Sequence, residues 1–155
     1  MSLAPIRHPD LPFYITSDAG LFNFDRIHGW LTASYWAKDI PFDLMVRSFE
    51  NSLSFGLFHD ESGQVGCARM ITDRTTFAYL ADVYINASCR GQKLGHWLMS
   101  VIMSHKDMQG LRRMMLATCD MHPLYAQFGF RPLERPEMMM EISSPGLYMK
   151  LPSKD

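Results

Sequence analysis

The sequence predicts an α+β domain in three layers, a mixed but mostly antiparallel sheet flanked by helices, on three observations. Residues 52–73 read as two short strands around the turn Glu61-Ser62-Gly63-Gln64, an antiparallel hairpin closed by Gly63. Thr76 to Ile85, TFAYLADVYI, is apolar on both faces apart from Asp82 and the tyrosines, as suits a central strand covered on both sides. A basic, glycine-containing turn follows it, then a helix with Leu94, Leu98, Val101 and Ile102 as its inward stripe, then a strand from Leu111. Strand, turn, helix and strand make a βαβ unit with a right-handed crossover.

The remaining elements follow in chain order. Leu11 to Ser17 reads as a first strand. In Phe22 to Asp39, Phe24, Ile27, Leu31 and Tyr35 recur at helical spacing, and Gly29 costs about 1 kcal/mol relative to alanine inside that helix. The helix after Pro41 starts where a first turn accepts proline, and Leu44, Met45 and Phe49 mark its face. Gly110 is expected to stop the helix of the βαβ unit, and Leu111 to Thr118 to run parallel to the strand ending at Ile85. A short helix, HPLYAQF, precedes a tail containing GFRPL and GLYMKL. Between those pieces PEMMMEI reads as either strand or loop.

The 155 residues carry no repeat, low-complexity run or linker, so one domain is expected over 1–155. With 15 basic and 16 acidic side chains the net charge is −1, and no basic run is long enough for nucleic acid or an anionic membrane. The N-terminus lacks the apolar core of a secretion signal, and no apolar run approaches the ~20 residues of a membrane span. Cys67, Cys89 and Cys119 are odd in number and without CxxC spacing, which favours a cytoplasmic protein. The six histidines show no paired ligand spacing, so no metal is expected. The 13 methionines read as adaptable core filling.

The corner NASCRGQKLGHWLMS, Asn86 to Ser100, concentrates the chemistry. A turn from strand into helix presents unpaired backbone N–H groups with a partial positive charge behind them, which suits phosphate oxygens. Glycines let a ligand approach the backbone, and Arg90 and Lys93 add charge-assisted contacts. His96 belongs either to the rim of this turn or to the solvated surface. Neither GxxxxGK[ST] nor GxGxxG is present, so a P-loop and a dinucleotide fingerprint are not indicated.

Arg90-Gly91-Gln92-Lys93-Leu94-Gly95 resembles the pyrophosphate motif of the GNAT superfamily of N-acetyltransferases, Q/R-x-x-G-x-G/A. Lys93 replaces the middle glycine, so the loop is expected to take a conformation open to L-residues there. A second block, LATCDMHPLYAQFGFRPL, is similar to the family's later signature through Leu124-Tyr125 and Gly129-Phe130, with Asp120 where asparagine is more usual. The resemblance runs from about Ser52 to Leu133.

The resemblance implies that the strands Thr76–Ile85 and Leu111–Thr118 splay apart and that the pantetheine arm of acetyl-CoA lies in the opening. The backbone of Val83, Tyr84 and Ile85 would hold the arm. Arg90, Gly91, Gln92, Lys93, Leu94, Gly95 and His96 would hold the pyrophosphate. Acetyl transfer to an amine needs a polarised carbonyl, a proton acceptor and an acid for the departing thiolate. A strand N–H near Val83 suits the first role and Tyr125 the last. Asp82, a carboxylate in an apolar strand, has either a fixed partner or a role as proton acceptor at the cleft. Asp120 reads as a helix N-cap, a contact for the cofactor arm, or both. His122 is a proton shuttle or a surface residue.

The acceptor is expected to meet the N-terminal helices, where Tyr35, Trp36 and Asp39, with Phe22 and Phe24 upstream, either face an amine or seal the core. The acceptor is a small-molecule or peptide amine of unspecified identity, and homodimers are common in the family. Two other readings stand beside the enzyme: a non-catalytic acyl-CoA-binding or sensor module, and an interaction protein using Met138, Met139 and Met140.

Overall fold

The computed structural model describes residues 4–151. The strands are β1 (Ile6–Arg7), β2 (Phe13–Thr16), β3 (Leu53–His59), β4 (Gly63–Thr72), β5 (Phe77–Ile85) and β6 (Arg113–Leu116). The α-helices are α1 (Phe24–Thr32), α2 (Phe42–Glu50), α3 (Leu94–Ser104), α4 (His122–Ala126) and α5 (Leu147–Lys150). All six strands form one sheet in chain order, antiparallel except for the parallel pair β5–β6.

The hairpin β3–β4 pairs His59 with Gly63, and Gly63 takes a left-handed φ of 80° that glycine accepts without steric cost. Arg26 on α1 clasps this turn, its Nη1 donating to the carbonyls of Ser62 and Gln64 at 2.7 and 2.8 Å. Each face of the sheet is covered. Ile27 and Leu31 of α1 and Met45 and Phe49 of α2 pack with Phe58 and Cys67 on one side. Leu94, Leu98, Met99, Val101 and Ile102 of α3, with Tyr125 of α4, pack against Phe55, Leu57, Ala68, Met70, Ala78 and Leu80 on the other. Along β5 the second cluster takes Ala78, Leu80, Val83 and Ile85, while Tyr84 packs with the first.

Several boundaries differ from the sequence reading. The first helix ends at Thr32, so Tyr35 and Trp36 lie on the irregular segment leading to α2. Helix α3 ends at Ser104, before Gly110: His105 turns extended and its Nδ1 accepts from the Asp107 amide at 3.0 Å, opening a separate 3-10 turn. Gly110 serves that following corner with a φ of 70°. In the tail, Pro136–Met138 is a 3-10 turn and 139–145 has no regular structure, while GLYMKL supplies α5.

Candidate active site

β5 carries a bulge. Opposite it on β4, Cys67 pairs with Tyr84 but Arg69 pairs with Ala81, so Asp82 and Val83 together face Ala68. Asp82 absorbs the extra residue with a φ of 55°, a left-handed conformation that aspartate tolerates better than most residues. The bulge reverses the alternation. Ala78 and Leu80 point into the α3-side core, and beyond the bulge Val83 and Ile85 do so instead. Without it, Asp82 would follow Leu80 into that core. With it, the carboxylate swings toward α2: Oδ2 accepts from Arg69 Nε at 2.5 Å and Oδ1 from Trp36 Nε1 at 2.9 Å. Asp82 therefore has a fixed partner, and its side chain is only 8% exposed.

The bulge also parts the two parallel strands. β5 and β6 stay paired from Phe77–Arg113 to Leu80–Leu116, and past that point β5 continues to Ile85 without β6 beside it. A cleft of about 920 Å³ opens there, walled by Asp82, Val83, Tyr84 and Ile85 on one side and by Leu116 to Met121 on the other. Gly66 lies behind β5, with the Tyr84 carbonyl oxygen only 2.8 Å from where a Cβ would sit.

At the far end of β5 the chain bends through a 3-10 turn, Ala87–Cys89, into α3. Among the described residues, the backbone N–H groups of Gly91, Gln92, Lys93, Leu94, Gly95 and His96 have no hydrogen-bond partner; the first donor committed to α3 is Trp97, which bonds the Lys93 carbonyl at 3.1 Å. Gly91 takes a φ of 85°, and Lys93 a φ of 60°. The lysine thus adopts a left-handed conformation rather than one open to L-residues. Arg90 braces the corner, its Nε donating to the Ile85 carbonyl at 3.0 Å and its guanidinium lying 5.5 Å from the Tyr84 ring centre.

Of the residues singled out in the sequence, Asp82, Val83, Tyr84, Ile85, Arg90, Gly91, Lys93, Leu94, Gly95, Asp120 and Tyr125 line the cleft. Gln92 and His96 lie outside its wall. Gln92 donates from Nε2 to the Cys89 carbonyl at 3.2 Å, and His96 packs on Phe128 with ring centres 4.8 Å apart, so each meets the turn only through its backbone N–H. Asp120 is not the N-cap of α4. Met121 holds that position, and Thr118 Oγ1 accepts from the amides of Asp120 and Met121 at 3.4 and 3.1 Å. His122 is exposed at the start of α4. Phe22 and Phe24 belong to the core beneath α1, whereas Tyr35 and Trp36 line the cleft mouth.

Tyr125 is buried, with its ring against Phe130. Burial pushes its hydroxyl above the ordinary tyrosine value, and Tyr35 and Asp120 nearby push it the same way. It stays protonated at neutral pH. The sequence reading missed Arg69 and Tyr79, which also line the cleft. Arg69 had a signal, a lone cation in an otherwise uncharged strand.

Residues 51–132 match the model of the acetyltransferase (GNAT) domain. A Gibberella zeae protein is 31% identical over 84% of this chain and 86% of its own, and a crystallised Xanthomonas campestris GNAT protein is 43% identical, covering 92% of this chain and 98% of that one with a TM-score of 0.86. Each carries the name "putative acetyltransferase". A Clostridium acetobutylicum protein named "predicted acetyltransferase" and solved with acetyl-CoA shares the fold at a TM-score of 0.62 and 12% identity, over 84% of this chain and 94% of that one. The chain belongs to the GNAT acetyltransferase family.

Proposed function

We propose that the protein is an N-acetyltransferase that moves the acetyl group of acetyl-CoA directly onto a primary amine. The observation that carries this reading is the row of unpartnered amides from Gly91 to His96 at the end of a cleft that Tyr125 also lines. Six N–H groups, Gly91 in a conformation open to close approach, and the charges of Arg90 and Lys93 fit a pyrophosphate. The open edge of Val83 to Ile85 fits an extended amide-bearing arm that adds to the sheet as a strand would.

Acetyl-CoA, when bound, supplies an acetyl group activated as a thioester. The α3 amides and Arg90 bind the diphosphate end, and the β5 edge orients the arm toward the bulge. Backbone N–H near Val83 polarises the acyl oxygen. Tyr125 Oη holds a proton for the departing sulfur, and burial keeps it there. Asp82 is committed to Arg69 and Trp36, which supports a positioning role for it rather than one as proton acceptor. Cytoplasmic residence belongs to the same reading, and three unpaired cysteines support it.

A thiol-release assay with acetyl-CoA across an amine panel, paired with calorimetry of coenzyme A binding, tests this reading. Release above blank with at least one amine is expected; the absence of both release and binding refutes the reading.

A further inference from the structure

Two carboxylates line the cleft, and they differ in commitment. Both Asp82 oxygens are engaged, one by Arg69 and one by the Trp36 indole. Asp120 is exposed, and among the described residues its carboxylate has no hydrogen bond or ion pair. It sits one residue beyond Cys119, whose amide donates to Tyr35 Oη at 3.4 Å, and it lines the same cleft as Tyr125.

The mouth beside Asp120 is aromatic and held in place. Trp36 is 43% exposed and Tyr35 65%, yet neither hangs free. The indole is pinned through its N–H to a buried carboxylate and the phenol through its oxygen to the chain after β6, with the two rings edge to face at 5.1 Å. A fold that fixes two neighbouring rings at a cleft while leaving them wet keeps a ready-made apolar wall. The cations Arg69, Arg90 and Lys93 share the lining. A second positive charge on the acceptor would therefore find no carboxylate to meet it.

We infer that the acceptor is a primary amine carried on a flat apolar body, with the Tyr35–Trp36 wall taking the body and Asp120 receiving the ammonium. This rests on the N-acetyltransferase reading above. The ammonium docks on Asp120 and loses one proton to solvent. The amine nitrogen then bonds the acetyl carbon as the carbon–sulfur bond breaks. The sulfur takes the Tyr125 proton, and the second nitrogen proton leaves through Asp120 to water. Tyr125 is reprotonated from solvent, so one proton is released per turnover. Asp82 acts through Trp36 and is a positioning residue.

The test compares 2-phenylethylamine, n-butylamine and putrescine as acceptors in the full chain, by thiol release, with coenzyme A affinity measured alongside. The expected kcat/KM for 2-phenylethylamine is at least about 10-fold above either alkyl amine, the scale of a ring contact joined to a charge contact. Trp36→Ala should abolish that preference, and Trp36→Phe, which keeps a ring without the pin, should retain part of it. Asp120→Asn should raise KM for 2-phenylethylamine by about 10-fold or more with coenzyme A affinity unchanged. The inference is overturned if an alkyl amine equals the aryl one, if Asp120→Asn leaves KM unchanged, or if that variant weakens only coenzyme A. Coenzyme binding without turnover of any of the three amines also overturns it. Loss of both binding and turnover overturns the underlying reading as well.

Discussion

Replacing Asp82 by asparagine isolates the charge of the Arg69–Asp82 pair. Asparagine accepts the left-handed φ of 55° and still offers an oxygen to Trp36, so backbone strain and the indole bond are both retained. What is lost is the negative charge against Arg69, whose side chain is only 17% exposed and whose other ties are Ser52 Oγ at 3.1 Å and the Phe49 ring. Breaking one partner of a fully buried pair costs about 3–5 kcal/mol. Residual exposure here lowers that to roughly 2–4 kcal/mol, a large share of a typical stability of about 5–15 kcal/mol. At about 2–4 °C per kcal/mol for a chain of this size, Tm should fall by roughly 4–16 °C. Urea unfolding gives the free energy directly. Adding Arg69→Met should recover most of the loss, because no unpaired charge then remains inside. A single-variant loss under about 1 kcal/mol, or a double variant no better than the single, would refute the reasoning.

Further outcomes are expected. Arg90→Glu should weaken coenzyme A binding by about 1–3 kcal/mol, roughly 5- to 150-fold, read by calorimetry; an unchanged Kd contradicts its pyrophosphate role. Lys93→Gly relieves a left-handed lysine worth about 1–2 kcal/mol while loosening the unfolded chain by about 0.5–1 kcal/mol, so denaturation should show a net gain of about 0.5–1 kcal/mol that Lys93→Ala does not give. Gly66→Ala drives a methyl into the Tyr84 carbonyl and Leu57, and should cost about 1–3 kcal/mol in stability while also weakening coenzyme A binding, because β5 must shift. Tyr125→Phe should lower kcat by about 100-fold or more with coenzyme affinity kept. Folding raises the pKa of Tyr125, so the folded chain holds this proton where the unfolded chain has lost it. Its contribution to stability is therefore intact below about pH 10 and is lost as pH rises through the raised value, and rate–pH profiles should show no Tyr125 limb below about pH 10.

Much of the architecture was legible in the chain because it is written in local periods. The hairpin at Gly63, the two-sided apolarity of β5, the stripe of α3 and the basic corner after Ile85 are each set by residues two to four apart, and they appear in the structure in the predicted order. The shift of buried positions from Ala78 and Leu80 to Val83 and Ile85 was hidden in the sequence, because a run apolar on both faces carries no alternation to break, and so the face of Asp82 could not be assigned. Thr118 relieving Asp120 of the cap, and His105 ending α3 ahead of Gly110, are short-range competitions between equivalent hydrogen-bond donors and acceptors that composition does not rank.

By itself, then, the sequence determined the order of strands and helices from β2 to α4, the parallel crossover and the corner of free amides, since these follow from side-chain period and turn chemistry along a few residues, while β1 and α5 were not read from it. Only the tertiary structure decided that Asp82 belongs to Arg69 across the sheet and to Trp36, 46 residues away in the chain, and that Tyr35 stands at the cleft beside Cys119. The physical reason is that a buried charge takes whichever partner packing brings within about 3 Å, and packing depends on how the whole sheet twists and bulges rather than on neighbours in the chain.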